Sequence, residues 1–182
     1  MPSLHVGNPV YVYLLWNLGV FFVAWLPHSF LEWLSHRFIL HSKAIVRFAY
    51  QEHDQRHHEE YGHGDTFHVP GRDYGRDFNL RDWALFLAFV MPLWAGLEWW
   101  TGKPLLIGAF LSACAYLHTF NVIHRHFHAP NGSWLEGCAV YRFLHEHHRM
   151  HHKVRHRNLN VVFPFADLCL GTLVTKGSRP AA

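Results

Sequence analysis

Fixed charge is missing from the start of this 182-residue chain: no Lys, Arg, Asp or Glu occurs from Met1 to Leu31. Cysteine is scarce. Cys114, Cys138 and Cys169 stand apart and form no C-x-x-C pair, so the sequence supports neither a thiolate zinc site nor a redox dithiol. The net charge of +3 comes without a basic stripe outside the histidine-rich regions, which argues against a nucleic-acid partner. There is no internal repeat and no low-complexity tail. The N-terminus carries no basic n-region, and no A-x-A-like site follows the first apolar run, so a cleaved signal peptide is not expected. The length suits one domain covering 1–182.

What the chain has instead is long apolar runs. "VYVYLLWNLGVFFVAWL" opens it, "WALFLAFVMPLWAGLEWW" covers Trp83 to Trp100 with the single charge Glu98, and "PLLIGAFLSACAYLHTF" covers Pro104 to Phe120 with none. A bilayer core takes about 20 helical residues at a rise of about 1.5 Å each, and backbone in lipid must pair internally, so each run is expected to be a helix. Buried helices of a soluble bundle would show more polar face than these do. The expected fold is an all-α integral membrane protein with about three transmembrane helices and a cytoplasmic histidine-rich helical cap.

Basic residues suggest the orientation. Seven Lys and Arg lie between the first two runs, one (Lys103) between the second and third, and eight after the third. The positive-inside rule then places the two crowded segments in the cytoplasm and the N-terminus outside. Tryptophans at the run ends, such as Trp99 and Trp100, suit interfacial anchors.

Nineteen residues are histidine, and sixteen of them fall in the two segments expected to share the cytoplasmic face. Four clusters stand out: His36 and His41 in "HRFILH"; His53, His57 and His58 in "HDQRHH"; His124, His126 and His128 in "HRHFH"; and the five imidazoles of "HEHHRMHH", His145 to His152. Residues three or four apart share a helix face. That spacing pairs His53 with His57 and His124 with His128, and lets His148, His151 and His152 point into one pocket. His36 and His41, five apart, sit about 140° apart on an ideal helix, so they face different metals or the helix bends there. His5, His28, His63 and His68 have no partner by spacing and read as ordinary polar side chains.

Neutral imidazole is a common ligand for Fe, Zn, Cu and Ni. Many imidazoles packed together would repel if protonated, and a metal keeps them neutral. Ten histidines in four clusters exceed the need of one ion; two ions with about five nitrogens each fit the number. The zinc-peptidase motif H-E-x-x-H fails because Arg149 occupies the last position. A carboxylate-bridged di-iron bundle needs two Glu-x-x-His motifs, and only Glu60 with His63 offers one. No serine or cysteine nucleophile stands out.

The ordered pattern H-x4-H, H-x3-HH, H-x3-H, H-x2-HH in "EWLSHRFILH", "HDQRHH", "HRHFH" and "HHRMHH", closed by "NLNVVFPFADLCLGT", resembles the membrane-bound fatty acid hydroxylase and sterol desaturase superfamily over roughly residues 30–172. The resemblance implies an O2-dependent di-iron lipid hydroxylase, a monooxygenase acting on an unactivated C–H bond of an acyl chain or related lipid. Carried over by motif, the metal ligands would be His36, His41, His53, His57, His58, His124, His128, His148, His151 and His152. His126, His145 and His147 would be supporting or extra ligands, His118 a supporting residue, and Glu32, four residues before His36, would orient that imidazole or sit as a carboxylate at the membrane interface. The implied cofactors are two Fe ions, with Zn as a possible substitute, and O2 as cosubstrate. Electrons would come from a separate ferredoxin- or cytochrome-type protein. Ala166 and Leu170 stand where the family's closing segment usually has Trp and Phe. Alternatives are a carotenoid hydroxylase or lipid desaturase of the same superfamily, a zinc-bound member, or a non-redox membrane metal-binding protein. Transport fits poorly, because a transporter places ionisable ligands inside its spans.

Overall fold

Apolar runs with internally paired backbone do form the long helices of the protein, seen here in a computed structural model. The structure describes residues 9–62, 64–69 and 80–175; His5, His63 and the basic residues Arg72, Arg76, Lys176 and Arg179 lie outside them. The described residues are helical with no strand: α1 (Pro9–Val23), α2 (Trp25–Ser35), a π-turn (His36–Leu40), α3 (Arg47–Tyr50), a second π-turn (Gln51–His57), α4 (His58–Glu60), α5 (Leu80–Thr101), α6 (Leu106–His128), α7 (Ala139–Lys153) and α8 (Phe165–Cys169), with short 3₁₀ turns at Asp65–Phe67 and Trp134–Gly137.

Among the described residues, three segments are long and apolar enough to cross a membrane: Val10–Leu40, Arg81–Thr101 and Leu106–His128, with mean hydropathies of 1.6, 1.3 and 1.6. Their outer faces carry large apolar side chains in the open, Leu15, Phe89, Leu93 and Trp99 among them. That surface is unsuited to water and suited to lipid.

The chain divides into two compact units, with the boundaries in α2 at Pro27 and in α6 at His118. The first holds α1, α5 and the start of α6. Val20, Leu105 and Ala109 form its core, with Trp94 packed against them. Gly108 lets two helices close up: a Cβ there would collide with the carbonyl oxygen of Asn17. Two polar side chains of this unit serve the start of α6. Glu98 accepts from the amides of Leu105 (2.7 Å) and Leu106 (2.8 Å), and the Asn17 side chain accepts from Gly108 N–H at 2.7 Å. These are amides a helix start leaves unpaired, and in lipid they have no water to turn to. Gly102, with φ of 63°, ends α5 in the left-handed conformation that glycine adopts freely.

The second unit carries the histidine-rich turns, the end of α6, α7 and the closing segment. Trp33, Leu159 and Ala166 form one apolar cluster in it. α7 stops at Lys153 although neither Gly nor Pro follows. Instead Val154 N–H bonds back to Met150 and His151, a turn follows, and Asn158 takes a positive φ of 52°.

Candidate metal centre

The ten histidines of the motif resemblance fall into two groups of five. His36, His41, His53, His58 and His151 make one, and His57, His124, His128, His148 and His152 the other; within each group the ligand atoms lie within 4.8 Å of one another. The groups could each hold a metal ion. His57 and His58 are adjacent in sequence yet serve different groups, and so do His151 and His152.

The pairing differs from a reading based on α-helical spacing, and the reason is local backbone. His36–Leu40 and Gln51–His57 are π-turns, in which the amide of residue i+5 bonds to the carbonyl of residue i. His41 N–H bonds to His36 O at 3.0 Å, and the amide of His58 likewise bonds to His53 O. Residues five apart therefore come onto one side. The rings of His36 and His41 stack at 5.0 Å and 10°, while His53 and His58 bring their Nε2 atoms to 3.3 Å. His53 and His57, four apart, stack at 5.1 Å but belong to opposite groups. The second group keeps α spacing in its two pairs, His124 with His128 and His148 with His152. His151 turns away from both of its neighbours on α7 and joins the first group.

In both groups the Nε2 atoms converge. In the first they run as a chain: His36 to His53 at 2.9 Å, His53 to His58 at 3.3 Å, His58 to His151 at 3.1 Å and His151 to His41 at 3.1 Å. In the second they gather on His148, which meets His124 at 2.8 Å, His152 at 3.0 Å and His128 at 3.1 Å, with His57 at 3.3 Å from His152. The opposite ring nitrogens fix the tautomers. His36 Nδ1 donates to Leu159 O, His151 Nδ1 to Arg157 O at 2.9 Å, His128 Nδ1 to Phe67 O at 3.0 Å and His152 Nδ1 to Tyr61 O. His41 Nδ1 donates to the Asp54 carboxylate at 2.5 Å. A carbonyl oxygen only accepts, so Nδ1 carries the proton and Nε2 presents its lone pair inward. The Nε2 atoms of His41 and His151 thus face each other lone pair to lone pair at 3.1 Å, an arrangement that a cation between them makes favourable. The spacing fits an ion: two nitrogens about 2.1 Å from one metal and at right angles across it lie about 3.0 Å apart.

Burial supports the neutral form. It pulls the imidazoles of His53, His57, His148 and His151 well below the usual histidine range, with neighbouring imidazoles adding to the effect. His152 is lowered to about 3, again mainly by burial. The second group is buried throughout, whereas His41 and His53 of the first are only partly so.

Glu32 bonds to the closing segment. Its carboxylate accepts from the Val161 amide at 2.6 Å, the Val162 amide at 3.4 Å and the Asn160 side chain at 3.1 Å. It holds the loop next to Leu159, whose carbonyl meets His36, and so acts on that ring through the backbone. His147 belongs to neither group; its Nε2–H donates to Asp167 at 3.1 Å. His126 donates to Val122 O at 2.8 Å, His145 stacks on His68 at 5.0 Å, and His118 is exposed.

Two carboxylates were not singled out by motif. Asp54 braces His41 and pairs with Arg155 at 3.1 Å. Asp167, fully buried, accepts from the Leu159 amide (2.9 Å), the Asn160 amide (2.7 Å) and the Thr172 hydroxyl (2.6 Å), and so shapes the closing segment. Asp54 lies one residue from His53, and a carboxylate beside a candidate ligand is the signal that would have found it. No family model matches the chain, and neither does any curated protein or solved structure.

Proposed function

We propose that the protein is an O2-dependent di-iron oxygenase that hydroxylates an unactivated C–H bond of a membrane lipid, an acyl chain or a related one. The observation that carries the reading is the division of ten convergent imidazole nitrogens into two groups of five, with the side-chain carboxylate nearest to them spent as a brace on His41. Nitrogen-only donor sets of this kind suit iron as well as zinc. Three helices long and apolar enough to span a bilayer favour a substrate that lives there.

Bound in these groups, two iron ions would supply the redox chemistry that splits O2, one oxygen atom entering the C–H bond and the other leaving as water with two electrons and two protons from outside. The chain's own part is to hold and shield. Ring Nδ1–H groups on carbonyls keep Nε2 lone pairs turned inward, so the ligands need no reorganisation on binding. The burial of His124, His128, His148 and His152 keeps bulk water from the second group, which limits side reactions of a strong oxidant. The electrons are supplied by a separate ferredoxin- or cytochrome-type protein. In this reading the metal groups face the cytoplasm and the N-terminus lies outside; a tag at the N-terminus should then be reached by a membrane-impermeant reagent on intact cells, and reaction only after permeabilisation overturns the orientation.

The test of the chemistry is metal content and Mössbauer spectra on detergent-purified protein grown with enriched iron. About two irons per chain, magnetically coupled, support the reading and open a screen of hydroxylated lipid products. Two zinc ions that iron does not replace, or one loosely held metal, overturn it.

A further inference from the structure

The two pockets are built from the same side chain, and the first has a carboxylate behind one of its rings. His36 and His151 in the first pocket, and His128 and His152 in the second, rest on backbone carbonyls. His41 alone among these rests on a carboxylate, Asp54, at 2.5 Å. Asp54 sits in the middle of the π-turn Gln51–His57, directly after the ligand-forming His53, so one turn delivers both a metal-facing nitrogen and a brace for a nitrogen from another turn. The carboxylate is itself fixed. Its other oxygen accepts from Arg155 Nη1 at 3.1 Å, just past the end of α7, and its side chain is 11% exposed against 48% for the arginine. The negative charge of Asp54 raises the nearby Tyr50 phenol above its ordinary range.

We propose that Asp54 makes the two pockets inequivalent, so that the pocket of His36, His41, His53, His58 and His151 holds its ion more tightly than the other. The inference rests on the two-metal reading above and adds an order to it. A carboxylate that accepts the Nδ1–H of an imidazole raises the basicity of Nε2, the atom that faces the metal, and removing such a partner costs about 10–100-fold in affinity. A carbonyl brace orients the ring but carries no full charge to lend. Asp54 belongs to neither ligand group. It is a positioning residue, acting through His41.

The experiment is an equilibrium titration of the purified full chain with chelator-buffered Zn2+, a redox-silent probe, reading bound zinc per chain against free zinc. Wild type should fill in two resolved steps. Asp54→Asn keeps the size and an oxygen acceptor for Nδ1–H and removes the charge. It should weaken the tighter step by about 10–100-fold and leave the weaker one in place. Arg155→Ala, which keeps the carboxylate but frees it, should loosen the same step by less, and it serves in place of Asp54→Asn if that variant folds poorly. An unchanged isotherm, a shift confined to the weaker step, or an equal shift in both overturns the inference. Two zinc ions bound without sensitivity to Asp54 leave the two-metal reading standing. Fewer than two in wild type defeats both.

Discussion

Set side by side, the two histidine pockets differ in almost everything except their ligands. The second is compact and buried, centred on His148, with both of its pairs at α-helical spacing and its braces at Tyr61 and Phe67. The first is an open chain of contacts, partly exposed at His41 and His53, with both pairs at π spacing. Its braces are the closing segment, through Leu159 and Arg157, and Asp54. Imidazole number alone does not define a metal site. The backbone turn decides which rings meet, and the atoms behind the rings decide how they meet.

The comparison can be broken from the second pocket. His148→Ala removes the ring on which three others converge. On the proposed reading, bound iron should fall from about two per chain to about one, with lipid oxidation abolished and membrane insertion intact; retained activity would sink the ligand assignment. Breaking the braces should empty the pockets selectively. Asp167→Ala strands the buried amides of Leu159 and Asn160 and the hydroxyl of Thr172, at a cost of roughly 3 kcal/mol or more for several unpaired groups. Metal analysis should show loss from the first pocket, because the carbonyls of Leu159 and Arg157 move. Phe67→Ala deletes a fully buried ring against His128 and His152, typically about 3–5 kcal/mol, and the loss should come from the second pocket instead.

Acid should act on the metal-free form in a defined direction. The folded values of His53, His57, His148 and His151 are depressed, and that of His152 is about 3. The unfolded chain therefore binds more protons than the folded one between that range and the ordinary histidine value of about 6.5. Stability is full above about 6.5 and falls as pH drops through that window. Thermal denaturation of metal-free protein at pH 7.5 and 5.5 checks the sign, and a higher midpoint at pH 5.5 contradicts it. The smallest effect on metal content should come from Gly108→Ala. It forces a Cβ against Asn17 in the first unit, costs about 1–3 kcal/mol as overpacking, and should leave metal per chain unchanged.

Much of this was legible in the residues. Apolar runs with at most one charge each announce the three long helices, and the four clusters hold all ten convergent histidines. The pairing was not legible, because spacing rules assume 3.6 residues per turn and the two π-turns add a residue to each. His53 was expected with His57 and meets His58; His151 was expected with His148 and His152 and meets His41. Helical spacing makes Glu32 a partner of His36, yet the loop 160–162, 128 to 130 residues away in sequence, takes its carboxylate. Asp54 and Asp167 carry no motif of their own, and what they brace is set by tertiary structure that a linear pattern does not encode.

The π-turns have a meaning in residue arithmetic. The second pocket's arms are H-x3-H twice; the first pocket's are H-x4-H twice. A π-turn is an α-helical turn with one residue too many, and the surplus is absorbed by one wider loop of backbone. The first pocket is thus the second with a single insertion in each arm. Substitutions of the bracing residues change how tightly this pocket holds an ion but leave its register in place, because the backbone sets the register. A one-residue deletion between His36 and His41, or between His53 and His58, is the change to which this pocket is most sensitive, and at the corresponding places in the second pocket a one-residue insertion is its mirror image.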